Sequence, residues 1–112
     1  MRFAVLVYET EQDFVDREKT MPAYQAYSQA LVAAGVASGG AALHPSHTAT
    51  TIRLQNGQRQ VQDGPFIDTK EQLGGFFLID VPDLDAAMDW ASRCPAASLC
   101  GVEVRPLLTM DK

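Results

Sequence analysis

The sequence predicts a single α+β domain with a ferredoxin-like, split βαβ arrangement and an inserted β-hairpin. Three observations support this fold class. The chain has 112 residues, which is the size of one domain, so residues 1–112 are treated as one unit. Three segments have the apolar composition of core strands, a fourth can form a strand weakened by glycines, and two others have the spacing of amphipathic helices. Asn56-Gly57, a strong hairpin signal, lies between two further strand-like runs.

The first strand is predicted at residues 2–8 (RFAVLVY). Phe3, Val5 and Val7 alternate along it and should share one buried face. Residues 9–19 are acidic and lack a clear period, so this stretch is predicted to be a connection with at most a helical turn.

A helix is predicted to begin near Thr20, which has the chemistry of an N-cap, and to carry Pro22 in its first turn. Gly35 is expected to end the helix, because glycine readily adopts the left-handed conformation that closes a helix. A second strand follows at residues 36–43, and it is weakened by two adjacent glycines.

The second half of the chain begins with the hairpin, whose arms are predicted at residues 48–54 and 59–63. Residues 75–81 (GFFLIDV) form the clearest strand. Asp83 caps the next helix, which Pro95 ends. The last strand is predicted at residues 101–107.

With the hairpin set aside, the predicted order is strand, helix, strand, strand, helix, strand. Both helices of such a fold lie on one face of the sheet, and the other face carries apolar side chains from the strands. The chain has no further element to cover that face. The sequence therefore predicts a homodimer, a dimeric α/β-barrel in which two sheets meet face to face.

Composition restricts the classes of partner. The formal net charge is −5 and the isoelectric point is about 4.8, which argues against nucleic acid and against an anionic membrane surface. No segment has the length of a membrane-spanning helix or the pattern of a signal peptide, so we expect a cytoplasmic protein. Cys94 and Cys100 are expected to be reduced thiols rather than a disulfide or zinc ligands. No cofactor motif is present.

His44 and His47 flank a Pro-Ser turn and are the only histidines. They would chelate a metal only if the backbone turned both rings inward, and no cysteine or carboxylate lies nearby in sequence to complete a tetrahedral set. A solvated loop is the simpler interpretation, and we predict no metal site.

Several motifs match a known family. Residues 63–66 (DGPF) and 69–76 (TKEQLGGF), with 89–91 (DWA), 93–95 (RCP) and 102–106 (VEVRP), resemble the DGPF branch of the YCII-related family. The resemblance implies a dimeric α/β-barrel. It implies little about activity. It also implies a possible regulatory context, because the genes of many relatives are thought to lie beside those of extracytoplasmic-function sigma factors in bacterial genomes.

The resemblance also implies where catalysis would occur. The wider family is thought to use a histidine on the first helix and an aspartate after the second, and some relatives resemble dehydrochlorinases. In this chain those two positions fall on Tyr24 and Cys94, so both residues of the pair are replaced. The family's chemistry therefore does not transfer directly.

Asp63 is the first candidate for a catalytic residue. It stands where a strand gives way to Gly64, and a partly desolvated carboxylate there could act as a general base. The structural alternative is that Asp63 only fixes a turn. Ligand contacts are predicted for neighbouring residues of the same loop, namely Phe66, Glu71, Gly74 and Gly75, whose backbone N–H groups or side chains could hold a small oxygenated molecule.

Tyr24 is the second candidate, as a hydrogen-bond donor, although packing of the helix on the sheet would also explain it. Glu103 and Arg105 alternate onto one face of the last strand, opposite Val102 and Val104. They are predicted either to bind an anionic ligand or to form an ion pair at the dimer interface, and the sequence does not separate the two.

Two functions follow. The first is a small-molecule-binding homodimer that acts as a cofactor-independent, lyase- or isomerase-like enzyme, with Asp63 as base, Tyr24 as donor and Arg105 as the anion partner. The second is a non-catalytic accessory or regulatory module linked to a sigma factor. A pocket that contains all three residues would favour the enzyme.

Overall fold

The computed structural model describes residues 1–109. Within these residues, no helix combines the length and apolar character required to cross a membrane. In chain order the elements are β1 (Arg2–Glu9), α1 (Glu11–Val15), α2 (Arg17–Ala33), β2 (Ala37–Ala42), a 3-10 helix (Ser46–Thr48), β3 (Thr50–Gln55), β4 (Gln58–Asp63), β5 (Gln72–Asp80), α3 (Leu84–Ser92), α4 (Ala96–Leu99) and β6 (Gly101–Pro106).

Four strands form one sheet in the order β2-β5-β1-β6, and every neighbouring pair is antiparallel. The hairpin β3–β4 forms a separate two-stranded sheet. Two helical segments connect the strands of the main sheet, one between β1 and β2 and the other between β5 and β6. The predicted split βαβ order with an inserted hairpin is therefore confirmed.

The core lies between one face of the sheet and the helices. Phe3, Val5 and Val7 alternate along β1 and are buried, as their spacing predicts. The helices supply the other side of this core with Tyr27, Leu31, Ala87 and Ala91. In β6, Val102 and Val104 pack against the same core, because they are paired directly opposite Val7 and Val5.

The other face of the sheet is covered by no helix in the described chain. Leu6 and Tyr8 of β1 point to this open face, next to Phe76 and Leu78 of β5, and all four are only half-buried. The molecule is correspondingly flat, with principal extents of 46 × 44 × 18 Å. The predicted one-sided arrangement is confirmed.

The segment between β1 and β2 differs from the prediction. Residues 9–19 are mostly helical, and Thr20 lies inside α2 instead of capping it. The N-cap in this region is Thr10, whose hydroxyl accepts a hydrogen bond from the Asp13 N–H, while the Asp13 carboxylate accepts one from the Thr10 N–H. This capping box starts α1. Pro22 is therefore well inside a helix, on its exposed side, where water can solvate the carbonyl group it leaves unpaired.

The hairpin matches its prediction closely. Asn56 and Gly57 have φ angles of 51° and 75°, the left-handed pair required by a two-residue type I′ turn. Thr51 is the buried residue of the hairpin, and its hydroxyl donates to the Gly64 carbonyl oxygen at 2.9 Å. The side chains on the opposite face of the hairpin are exposed.

β2 is an edge strand of very small residues (ASGGAA), all of them exposed. Gly40 has a φ of +145°, and a Cβ there would lie 2.5 Å from the Phe76 carbonyl oxygen. The strand can approach β5 at this point only because residue 40 has no side chain.

We expect Gly40→Ala to destabilise the protein by about 2 kcal/mol or more, because alanine is disfavoured at this φ and its methyl group collides with backbone. Gly101→Ala is the matched control, since nothing lies within 4 Å of a Cβ there and its φ is not left-handed. Urea unfolding of both variants tests this. Equal stability of the two variants would contradict it.

Candidate functional site

A cleft of about 470 Å³ lies on the helix-bearing side of the sheet, between α2 and the strands β2 and β5. Its size is within the range of small-molecule sites in proteins. Val7, Met21 and Phe77 contribute apolar walls, and β2 contributes backbone with almost no side chains. The polar side chains that line the cleft are Glu9, Arg17, Thr20, Tyr24, Gln25 and Ser28.

A buried ion pair forms one end of the cleft. The Glu9 carboxylate accepts two hydrogen bonds from the Arg17 guanidinium, at 3.1 Å from Nε and 2.7 Å from Nη2. Glu9 is 5% exposed, so its charge depends on this bidentate partner. Arg17 also donates to the carbonyl oxygens of Gly74 and Leu43. One guanidinium therefore ties together the ends of β1, β2 and β5.

Gly74 makes room for this ion pair. A Cβ at residue 74 would lie 1.9 Å from Oε1 of Glu9. At Gly75, a Cβ would lie 2.8 Å from the Ala41 carbonyl oxygen, which belongs to the neighbouring strand β2. Both glycines therefore have a steric role: Gly74 admits the Glu9 carboxylate and Gly75 admits the edge strand.

Tyr24 provides a hydroxyl group in the cleft. Burial, with smaller contributions from the Cys94 and Glu9 side chains, raises the pKa of Tyr24 well above its usual value of 10.0, so its phenol is neutral and remains a donor. Within residues 1–109 this hydroxyl has no hydrogen-bond partner, whereas the Tyr27 hydroxyl donates to the Trp90 carbonyl oxygen at 2.8 Å. Tyr24 is therefore the donor that a bound molecule can use.

Cys94 belongs to the buried core against which Tyr24 packs. It is buried, and its pKa is raised by burial, so the thiol is protonated. Tyr24 and Cys94 thus lie on the same side of the sheet. These are the positions that the family resemblance associates with the histidine and aspartate. In this chain Tyr24 and Cys94 pack into the same core, and both side chains stay protonated at neutral pH.

The structure divides the predicted site residues among three places. Tyr24, Gly74 and Gly75 line the cleft. Glu103 and Arg105 lie on the open face of the sheet, because they are paired opposite Leu6 and Ala4 of β1. Tyr24 and Arg105 are therefore on opposite sides of the sheet, and the expected cluster of Asp63, Tyr24 and Arg105 does not form within one copy of the described chain.

On the open face, Glu103 and Arg105 form an ion pair. Arg105 Nε donates to Glu103 Oε2 at 2.7 Å, and the Tyr8 hydroxyl donates to Glu103 Oε1 at 3.1 Å. These hydrogen bonds hold the pKa of Glu103 below its usual value, with Arg105 as the larger cause. A polar network therefore stands among the half-buried apolar residues of this face.

The remaining predicted residues, Asp63, Phe66 and Glu71, belong to the base of the hairpin and to the loop before β5, and all are exposed. Phe66 packs beneath the Arg53 guanidinium, 4.4 Å from its ring centroid. The turn at Asp63 is held by the Gly64 N–H, which donates to the Ala49 carbonyl oxygen at 2.7 Å. None of the three lines the Tyr24 cleft.

Next to this loop is a second cleft of about 800 Å³, between α1, the 3-10 helix and the segment before β5. Its lining includes the ionisable side chains of Glu11, His47, Asp68 and Lys70. In residues 1–109, no group of three or more His, Cys, Asp or Glu side chains is arranged to hold a metal ion.

Sequence reasoning did not single out Glu9 and Arg17. A signal for Glu9 was present, because it continues the alternation of Phe3, Val5 and Val7 and is thereby predicted to be buried. A buried carboxylate requires a cationic partner, and Arg17 is the first arginine after it. The interpretation of residues 9–19 as an irregular connection concealed that pairing.

Comparison with known proteins assigns the family. The model of the YCII-related domain matches residues 1–111. The chain belongs to the YCII-related family. An uncharacterized protein of Rhizobium meliloti (strain 1021) is 40% identical over 114 residues, which cover 96% of this chain and 92% of the relative.

A solved structure shares the fold of this YCII-related chain. It is 5-chloro-2-hydroxyhydroquinone dehydrochlorinase from Burkholderia phenoliruptrix AC1100, in complex with 2,5-dihydroxybenzoquinone. The TM-score is 0.59 with 16% sequence identity, and the alignment covers 96% of this chain and 94% of the other.

We expect Glu9→Gln to lower the free energy of unfolding by about 3 kcal/mol, because it leaves the Arg17 charge without its carboxylate. Glu11→Gln is the matched control: Glu11 is exposed in the first turn of α1, and its loss should cost only about 0.5 kcal/mol. Chemical denaturation at neutral pH measures both. A loss below about 1 kcal/mol for Glu9→Gln would show that the pair contributes little.

The raised pKa of Tyr24 predicts how the free energy of unfolding changes with pH in alkaline solution. Its pKa is higher in the folded chain than in the unfolded chain, so the unfolded chain releases the phenolic proton first. This contribution to stability is complete below about pH 10 and is lost as the pH rises further. The unfolding free energy of Tyr24→Phe should therefore fall less steeply above about pH 10 than that of the wild type. Identical slopes would contradict the assignment.

Proposed function

We propose that this protein is a homodimer that binds a small molecule in the cleft between α2, β2 and β5, with the Tyr24 hydroxyl as its hydrogen-bond donor. The observation that carries the proposal is the neutral, unpartnered Tyr24 hydroxyl in a cleft of about 470 Å³. A polar donor inside an otherwise apolar cleft fixes the orientation of a ligand that presents an acceptor oxygen.

The charges of the cleft favour an uncharged ligand or one whose charge is spread over a ring. Glu9 and Arg17 neutralise each other through two hydrogen bonds, and the cleft has no other acidic or basic side chain. The Val7, Met21 and Phe77 walls suit a flat, apolar body. The structural relative is consistent with such a ligand, since it was solved in complex with 2,5-dihydroxybenzoquinone.

Binding without turnover is the simpler function of the cleft itself. An acid–base reaction requires a group that exchanges a proton near neutral pH. Tyr24 and Cys94 both have raised pKa values, and Glu9 is already paired with Arg17. Asp63 stays the candidate base of an enzymatic function. It lies on the hairpin, which does not line the cleft of its own chain, so it would have to reach the cleft of a second copy.

The homodimer is supported by the open face of the sheet. Leu6, Phe76 and Leu78 lie there around the Tyr8–Glu103–Arg105 network, with no element of the described chain above them. A second sheet would cover the apolar residues and enclose the network, which would then favour one relative orientation of the two copies.

A ligand-binding cleft is also compatible with the regulatory function. In that function the dimer would bind a metabolite and regulate a sigma factor in response. The replacement of both family positions by Tyr24 and Cys94 favours this second candidate over catalysis. The two free thiols, Cys94 and Cys100, fit the reducing conditions of a cytoplasm.

The test is an NMR titration of the purified protein with 2,5-dihydroxybenzoquinone and with a panel of uncharged phenols and cyclic ketones. We expect at least one compound to shift the amide signals of Gly40, Gly74 and Phe77, which line the cleft. Tyr24→Phe should weaken binding of that compound by about tenfold, the contribution of one hydrogen bond.

Tyr8→Phe is the matched control, because Tyr8 lies on the opposite face of the sheet. Its affinity should equal that of the wild type. Shifts confined to the open face, or weakening by Tyr8→Phe alone, would place the site elsewhere and overturn the proposal. A turnover assay of the bound compound, compared with Asp63→Asn, then separates binding alone from catalysis.

A further inference from the structure

The hairpin β3–β4 has one supported face and one bare face. On the supported face, Thr51 donates to the Gly64 carbonyl oxygen and Arg53 stacks on Phe66. The bare face carries an apolar stripe made of Ile52, Leu54 and Val61, which are 51%, 72% and 58% exposed. Ile52 and Val61 are directly paired across the two strands, so the stripe is continuous.

An isolated hairpin of this kind is only marginally stable in water. The strands β3 and β4 pair only with each other, and none of the four strands of the main sheet extends the hairpin. The apolar stripe therefore gains no support from the sheet of its own chain, and it is expected to need another surface.

The size of the molecule indicates how much surface is uncovered. A compact monomer of 12.2 kDa exposes about 6,100 Å². This chain exposes 7773 Å², an excess of roughly 1,700 Å² over that expectation. Its radius of gyration is 15.8 Å, against about 13 Å for a compact domain of this length. A stable interface takes about 800 Å² from each partner, so the excess suffices for an extensive one.

Charge indicates which partner fits. The hairpin, residues 50–63, contains two arginines, Arg53 and Arg59, and one acidic residue, Asp63, so its net charge is +1. The rest of the chain contains seven basic and thirteen acidic residues, a net charge of −6. The body of an identical chain is therefore a surface of complementary charge for the hairpin.

We infer that the hairpin is a dimerisation arm, whose Ile52–Leu54–Val61 stripe docks on the body of a second copy of this chain. In a two-fold dimer each copy presents one arm and receives one. This inference rests on the homodimer of the proposed function and names the element that holds it together.

The test compares two single substitutions on neighbouring residues of β4. Val61→Glu places a carboxylate in the stripe, where docking would bring it against an acidic surface. Gln60→Glu adds the same charge one residue away, on the opposite face of the hairpin. Both residues are exposed, so neither change disturbs the core. Analytical ultracentrifugation over the micromolar range gives the dimer dissociation constant, and circular dichroism verifies the fold of each variant.

We expect the wild type and Gln60→Glu to be dimers with the same dissociation constant, and Val61→Glu to raise that constant at least about tenfold. Ile52→Glu repeats the test on β3 if Val61→Glu misfolds. An unchanged dissociation constant in both stripe variants would refute the dimerisation arm while leaving the homodimer intact. Equal weakening by Gln60→Glu would overturn it too, because the effect would not depend on the face. A monomeric wild type would instead refute the homodimer itself.

Discussion

Glu9 continues the inward-facing series of Phe3, Val5 and Val7, so β1 places a carboxylate where its other side chains are apolar. Arg17 makes this possible, because its guanidinium satisfies both carboxylate oxygens and reaches the carbonyl groups of Gly74 and Leu43 as well. Three strand ends and the start of α2 are thereby held in one arrangement. Both members of the ion pair also line the cleft beside Tyr24.

The same ion pair explains a local feature. Residue 74 has to be glycine, since a side chain would occupy the space of the carboxylate. α2 begins at Arg17 itself, separated from α1 only by Asp16, and Thr20 lies inside it. The first residue of α2 is thus the one whose guanidinium satisfies the buried carboxylate.

The sequence was informative where local chemistry decides the outcome. Alternation predicted the buried face of β1, and Asn56-Gly57 predicted the turn of the hairpin, since both depend on neighbouring residues alone. The location of the site depends on pairings distant in sequence. Glu103 and Arg105 were recognised as a pair, but only the register of β6 against β1 shows that they face away from Tyr24. Asp63 was grouped with Gly74 and Gly75 because all three lie in one sequence motif. In the structure the two glycines line the Tyr24 cleft, whereas Asp63 lies on the hairpin, away from it.

The separation of hairpin and cleft has an evolutionary consequence. The arm is a contiguous stretch of the chain, and within one copy of the described chain it contributes no residue to the Tyr24 cleft. Mutations in one can therefore accumulate with little effect on the other. Duplicated copies of such a domain in one cell could diverge in their arms, and so avoid mixed assemblies, while each retains the same ligand chemistry.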